Sequence, residues 1–186
     1  MSRKTSQQHR NTAIRPIAIC VFFDGDRIFV GEGVDHAKGE TFYRPLGGAI
    51  EFGEYGRQAV ARELREEIGA EIVNLHLLET LENIFTYEGE TGHEIVQVYT
   101  ADFADPVFYE LDVVCGAEDD GTPFRGVWKP LADFTERGDI LYPDGLLKVL
   151  LEWLDTVRML QQHAQPAHDS PLGLDWAAAL KEIRGE

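Results

Sequence analysis

The sequence predicts an α+β fold, a sandwich built on a mixed β-sheet, and three observations predict it. β-rich runs lie on both sides of a single amphipathic helix, a second and longer apolar helix follows them, and strands and helices do not alternate strictly. That order (strands, one helix, more strands, then helices) does not fit a repeated βαβ array.

Residues 1–13 are polar, basic at their start, and read as a loosely attached tail. Residues 17–23 and 27–31 are β-rich runs joined by Asp24-Gly25-Asp26, a strong hairpin signal. A polar loop over 34–40 leads to a short strand at 41–46 that runs into Gly47 and Gly48. From Tyr55 to Ile68 the pattern turns helical. Val60, Leu64 and Ile68 recur every four residues as one stripe, and Gly69 follows where a left-handed C-terminal cap favours glycine.

Residues 71–87 alternate irregularly and read as one or two strands. A turn at 88–92 then gives way to a β-branched strand at 94–103. A further strand is expected at 108–114, an acidic loop at 116–121, a strand at 124–128 and a short helix at 131–137. Residues 144–163 form the most strongly patterned helix, with Leu146, Leu147, Leu150, Leu151, Leu154 and Val157 on a broad apolar face and Asp144 placed to cap it. Residues 165–171 read as a linker, and Trp176, Leu180 and Ile183 mark a short amphipathic segment. The expected organisation is a tail at 1–13, one domain at 14–163 and a C-terminal tail at 164–186.

A chain of 186 residues, 44% hydrophobic and 27% charged, can bury one real core but is short for two. No apolar run approaches the ~18 residues of a membrane span. The run at 17–23 meets Asp24 without a small-residue cleavage site, a poor signal peptide. A cytoplasmic location with no membrane partner is expected. Cys20 and Cys115 lie far apart in apolar contexts and read as small core residues. The net charge of −16, from 33 acidic and 17 basic residues, would repel a polyphosphate backbone, so duplex nucleic acid is an unlikely partner. A small phosphorylated molecule is compatible with that charge if cations offset it locally.

The chemistry is concentrated between Gly48 and Ala70. Taking Val60 as the origin at about 100° per residue, Leu64 and Ile68 fall at about 40° and 80° and define the buried side. Glu63, Glu66 and Glu67 fall within an arc of about 100°. Like charges at this spacing repel by a few tenths of a kcal/mol per pair. Hard divalent cations offset such repulsion, since Mg²⁺ takes carboxylate, water and phosphate oxygens. Arg62 and Arg65 can screen the ridge and orient its members. Gly47 and Gly48 let the backbone turn sharply and approach a phosphate. On the three glutamates alone, a solvated helix face is the simpler account. The glycines and Glu54 at fixed spacing tip the balance.

The stretch resembles the Nudix box, whose pattern is Gly, five residues, Glu, seven residues, Arg-Glu, an apolar residue, any residue, Glu-Glu, any residue, Gly and an apolar residue. Gly48, Glu54, Arg62, Glu63, Leu64, Glu66, Glu67 and Gly69 match, and Ala70 fills the last place with a small side chain. Arg44-Pro45-Leu46-Gly47 before the box and Trp128-Lys129-Pro130-Leu131 after it are weaker similarities. Many members carry Pro-Gly-Gly before the box, whereas Leu46 intervenes here.

The resemblance implies a Nudix-type α/β/α sandwich and a metal-dependent hydrolase. Such an enzyme cleaves a diphosphate linkage in a nucleotide sugar, nucleoside triphosphate or dinucleoside polyphosphate by water attack at phosphorus. Glu63, Glu66 and Glu67 would hold Mg²⁺ or Mn²⁺, with the Gly48 carbonyl a further candidate ligand. Glu63 and Glu67 are candidates for the general base, and Arg62 would orient Glu63. Glu54 reads as a support of the loop–helix unit.

Arg44, Gly47 and Gly48 are candidates for substrate contact. Glu118, with Asp119 and Asp120, is a candidate late base or ligand, although a solvated turn explains that run more simply. Glu94, beside His93, is a weaker candidate of the same kind. Phe42, Tyr43, Phe85 and Tyr87 can stack on a base, but aromatic strand residues are more often core. The C-terminal helix and the Trp176 segment offer surfaces for a homodimer. Two other readings are an isoprenoid diphosphate isomerase and a catalytically silent nucleotide-sensing module. The first needs a catalytic cysteine and a histidine-rich site that neither Cys20 nor Cys115 supplies. The second commonly lacks box carboxylates that are intact here.

Overall fold

A computed structural model describes residues 13–117 and 121–163. Glu118, Asp119, Asp120 and the Trp176 segment lie outside the described residues, as does nearly all of the N-terminal tail.

β1 (Arg15–Val21) organises the molecule because its side chains are apolar on both faces. Ile17, Ile19 and Val21 enter one core cluster, and Ala18 and Cys20 the other. Its neighbours are β5 (Leu46–Ala49), antiparallel, and β7 (Glu90–Phe103), parallel. β6 (Ile72–Tyr87) pairs antiparallel with β7 and completes a four-stranded mixed sheet. A second sheet has the order β10 (Ile140–Leu141), β4 (Glu40–Arg44), β3 (Arg27–Asp35), β9 (Pro123–Pro130), β8 (Val113–Ala117). The short β2 (Phe23–Asp24) also pairs with β3.

The helices cover opposite faces. Ala59, Val60 and Leu64 of α1 (Gly56–Ile68) pack on Ala18, Cys20 and Phe29. Leu131 and Phe134 of α3 (Leu131–Thr135) join Leu146 and Leu150 of α4 (Leu146–His163) over Ile17, Ile19 and Val98. This is the expected α/β/α sandwich. Among the described residues no helix is long and apolar enough to cross a membrane.

Several expectations need correction. The hairpin at Asp24-Gly25-Asp26 forms, with Gly25 at φ 62, but it is only β2 with β3. β1 itself lies in the other sheet, and the fully buried Phe22 is where the chain crosses. The strand at 41–46 is likewise divided, because Pro45 cannot donate to a ladder and the chain changes sheets there. The strand expected at 108–114 is a short helix, α2 (Val107–Glu110), followed by β8. Phe108 stacks on Phe103 at 4.7 Å and its carbonyl accepts from Trp128 Nε1 at 3.0 Å, contacts that no local periodicity encodes.

α4 begins at Leu146 behind Gly145 at φ 86, so Asp144 belongs to the preceding turn rather than capping the helix. Cys20 is buried, which pushes its thiol pKa up, but Cys115 is exposed on β8 rather than in the core. The irregular alternation over β6 reflects two register shifts against β7, near Val73–His76 and Leu77–Glu79.

Candidate functional site

The helix that carries the glutamates starts and stops where local chemistry dictates. The Gln58 side chain accepts from Tyr55 N–H at 3.0 Å at its N-terminus. Gly69 at φ 69 closes its C-terminus, donating to the Arg65 carbonyl at 3.1 Å. Val60 and Leu64 are fully buried, so the opposite arc faces the preceding loop.

Arg62 is the hub of that arc. Its Nε and Nη2 donate to the two oxygens of Glu54, each at 3.1 Å. Its Nη1 donates to Glu63 Oε1 at 2.9 Å and Glu66 Oε2 at 3.1 Å, and Nη2 also reaches the Ala49 carbonyl at 3.0 Å. These bonds hold the guanidinium pKa well above its ordinary value, with Glu54 the largest cause. The same pair lowers Glu54, which also accepts from Glu51 N–H at 3.1 Å and so braces the loop as expected. Glu63 is enclosed, its side chain only 4% exposed, whereas that of Glu66 is 51% exposed. Arg65 hydrogen-bonds elsewhere and acts on Glu66 only through space. It makes two hydrogen bonds to Glu71, at 2.6 and 2.9 Å.

The two glycines face different neighbours. A Cβ on Gly48 would lie 2.3 Å from Glu63 Oε1, so the missing side chain makes the cradle in which that carboxylate lies. A Cβ on Gly47, at φ 130, would lie 2.2 Å from the Ala18 carbonyl oxygen. Leu46, the departure from Pro-Gly-Gly, is a strand residue: it pairs with Cys20 and is buried in the core. The sharp turn expected at Gly47 and Gly48 is therefore not there: both are ladder residues of β5, and the chain turns at Phe52 and Gly53 instead.

A cleft of about 880 Å³ opens between the two sheets, and Arg44, Gly47 and Glu67 all line it. Arg44 Nη2 donates to the Gly47 carbonyl at 3.1 Å and makes no ion pair among the described residues, unlike a surface salt-bridge arginine. Phe42, Phe85 and Tyr87 line the same cleft. Tyr43 does not: it packs edge-on to Phe134, with Lys129 Nζ 4.6 Å from its ring centre. Glu94 also lines the cleft, its side chain 14% exposed, so it is not the solvated strand end expected.

Across the rim, Lys38 Nζ donates to the Thr86 carbonyl and His36 N–H to Glu88 Oε1, each at 2.6 Å. Asp35, 3% exposed, accepts from Lys38 N–H at 3.0 Å. Burial alone would raise the Asp35 pKa, but the bonds from Lys38 and Glu88 outweigh it and lower it. This latch ties the β3–β4 loop to the tip of the β6–β7 hairpin.

The structure thus brings Gly48, Glu54, Arg62, Glu63 and Glu66 together, and places Glu67, Arg44 and Gly47 on the cleft. Among the described residues, no three His, Cys, Asp or Glu side chains converge on a point suited to a metal ion. Arg62 bridges Glu63 and Glu66 instead. The donor set nevertheless fits a hard cation, being all carboxylate and carbonyl oxygen around a cradle that a Cβ would fill. Asn83, Arg15 and the latch were not found from sequence, because strand pairing across long separations creates them and no local motif marks them.

Comparison with known proteins places this geometry. The NUDIX domain family model matches residues 13–145. A NUDIX hydrolase from Nitrosomonas europaea superposes with a TM-score of 0.53 at 15% identity, over 77% of this chain and 90% of that one. A MutT NUDIX hydrolase from Burkholderia pseudomallei gives 0.51 at 21% identity, over 75% and 97%. A protein described as an ADP compounds hydrolase gives 0.51 at 20% identity, over 77% and 74%. At these identities the structural likenesses concern the fold.

Proposed function

Because this chain belongs to the NUDIX family and is a pyrophosphohydrolase of that type, we propose that it cleaves a diphosphate linkage in a nucleoside diphosphate joined to another moiety, in a metal-dependent reaction. The hydrolase domain is residues 14–163. The observation that carries the reading is the Gly48–Glu63–Arg62 unit set beside a cleft that Glu67, Gly47 and Arg44 line.

Glu63, Glu66, Glu67 and the Gly48 carbonyl would hold Mg²⁺ or Mn²⁺. A bound divalent ion supplies charge neutralisation of the diphosphate and a lowered pKa for the attacking water. The chain's own residues do the rest. Arg62 fixes Glu63 and Glu66, so that their oxygens are positioned before substrate arrives. Glu67, which lines the cleft, would take the proton of the attacking water, with Glu63 the alternative base. Arg44 offers donors to a phosphate oxygen, and Gly47 lines the cleft beside it. Glu118 lies outside the described residues, and its role as a late base or ligand rests on sequence alone. Its near neighbours Thr122 and Pro123 line the cleft.

The test is a screen of purified protein with Mg²⁺ or Mn²⁺ against nucleoside triphosphates, nucleotide sugars and dinucleoside polyphosphates, with products resolved by chromatography. Turnover that needs the ion and collapses in Glu67→Gln and Glu63→Gln is expected. Turnover unchanged in both variants would overturn the assigned roles. Nucleotide binding without turnover on any substrate would point to a sensing module.

A further inference from the structure

The wall of the cleft opposite β3 and β4 carries a polar row that the reaction does not use. Arg15 of β1 pairs in register with Glu94 of β7, which pairs with Asn83 of β6. Residues directly opposite on neighbouring strands point to the same face. These three therefore stand side by side, and all three line the cleft. The next rung is apolar, Ile17 beside Val96 beside Leu81, so the row is a polar strip at the edge of a hydrophobic floor.

Asn83 is 5% exposed, and its Oδ1 is buried without a hydrogen-bond partner. A leucine would fill such a place without the cost of an unsatisfied amide. Glu94 meets Arg15 at 3.7 Å, longer than a hydrogen bond, and its side chain is 14% exposed. Asn83 Oδ1 and the Glu94 carboxylate thus stand as enclosed acceptors on adjacent strands, and a ligand that satisfies both oxygens presents two adjacent donors.

The aromatic lining indicates a flat ligand. A Cβ on Gly92 would lie 2.3 Å from Phe85 Cζ, and one on Gly33 would lie 2.4 Å from Phe42 Cζ. Each ring is folded down over the glycine opposite it, one on each sheet. The Phe85–Gly92 rung is the next one beyond Asn83–Glu94 on the same face. Arg15 lies four residues before Ile19, the partner of Gly47, a separation of about 13 Å along β1 at ~3.3 Å per residue. That suits a nucleotide whose base meets the polar row and whose phosphates reach Gly47 and Glu67.

We propose that Asn83 and Glu94 read the base of the substrate, accepting the paired N1–H and 2-amino donors of a guanine ring. This rests on the nucleotide-hydrolase reading above. Adenine and cytosine present one amino donor beside a ring-nitrogen acceptor, and uracil presents one imino donor between carbonyls, so each leaves an acceptor facing an acceptor. A ribose diol also offers two donors, but it is not a flat surface for Phe42 and Phe85.

Nucleoside monophosphates test the inference without metal or turnover, so failure here is separate from failure of the hydrolase reading. Calorimetric titration should show GMP binding at least about tenfold more tightly than IMP, which lacks the 2-amino group, and than AMP. dGMP should bind like GMP. Asn83→Leu and Glu94→Gln should each bring GMP down to the level of AMP. Asn83→Leu should also melt at or above the wild-type temperature, because it removes an unsatisfied buried amide. Equal affinities for GMP, IMP and AMP would overturn the proposal. So would dGMP binding weakly while IMP matches GMP, since that pattern assigns the row to the ribose. A lowered melting temperature in Asn83→Leu with selectivity intact would mean that Asn83 is structural, and would overturn it equally.

Discussion

Replacing Arg62 by alanine should destabilise the protein more than any other single change on the exposed side of α1. The guanidinium makes five hydrogen bonds, two to Glu54, one each to Glu63 and Glu66, and one to the Ala49 carbonyl. Hydrogen bonds to charged groups contribute about 1.5–3 kcal/mol each when isolated, but these share one donor group and are not additive. Glu66 is half exposed and solvent takes over most of its contribution. Glu63, at 4% exposure, is different: removing Arg62 takes a cation away from an enclosed carboxylate, which solvent replaces poorly. The expected loss is about 3 kcal/mol, or roughly 6–12 °C in Tm for a domain of this size. Arg62→Lys should recover less than half, because an ammonium is a point charge and cannot span three carboxylates. Thermal melts in chelator, then with Mn²⁺, give the assay. The ion should raise Tm more in Arg62→Ala than in wild type, because the carboxylates it would neutralise have lost their own cation. A drop under about 2 °C in chelator would refute the hub reasoning. A drop that no divalent ion restores would refute the metal assignment.

Gly47→Ala should cost more than about 3 kcal/mol or give no folded protein, since the new Cβ meets backbone that cannot move aside; soluble expression and chemical denaturation check it. Lys129→Met should cost about 2 kcal/mol, because Nζ lies 2.8 Å from Asp133 and 2.6 Å from Asp139 over the Tyr43 ring in a largely enclosed place. Asp35 has a lowered pKa, so its stabilising contribution is complete above the ordinary aspartate value of 3.8 and is lost as pH falls through the lower folded value. Asp35→Asn should therefore flatten the acid limb of the stability curve below about pH 4, and speed amide exchange at Lys38 and Glu88.

What the sequence made legible was local. The glycines, Glu54, Arg62 and the three glutamates lie within a short stretch, and helical periodicity alone puts the glutamates on one arc. The cap at Gly69 follows from the same short-range rules, whereas Tyr55, read as the first helical residue, is the N-cap. The sheet crossings at Phe22 and Pro45 were not legible, because a turn signal specifies a reversal and not the sheet to which each arm belongs. α2 was misread as strand because Phe108 and Tyr109 look like strand residues. Their packing against Phe103 and Trp128 decides the matter, and that is tertiary. Asn83 was missed for a related reason: its meaning comes from residues 15 and 94, which only register brings beside it.

The register of β5 connects the two halves of the site. With Gly48 opposite Ala18 and Gly47 opposite Ile19, one glycine faces Glu63 and the next borders the cleft. A shift of one residue would exchange those faces, and the shift that brings Ala49 opposite Ala18 would place a side chain in the Glu63 cradle. Leu46 helps fix this register, since it pairs with Cys20 and is buried among Ala18, Val60 and Leu64. Deleting Leu46 would restore the commoner Pro-Gly-Gly spacing, yet it should be destructive here. It removes a buried leucine, at about 2–5 kcal/mol including the cavity, and brings Pro45 to a ladder position where it cannot donate. The expected outcome is loss of cooperative unfolding by circular dichroism, or a melting temperature reduced by roughly 10 °C or more with no metal-dependent turnover. A deletion variant that melts like wild type and keeps its turnover would show that the cradle does not depend on β5 register, and the link between fold and chemistry drawn from Gly47 and Gly48 would fail.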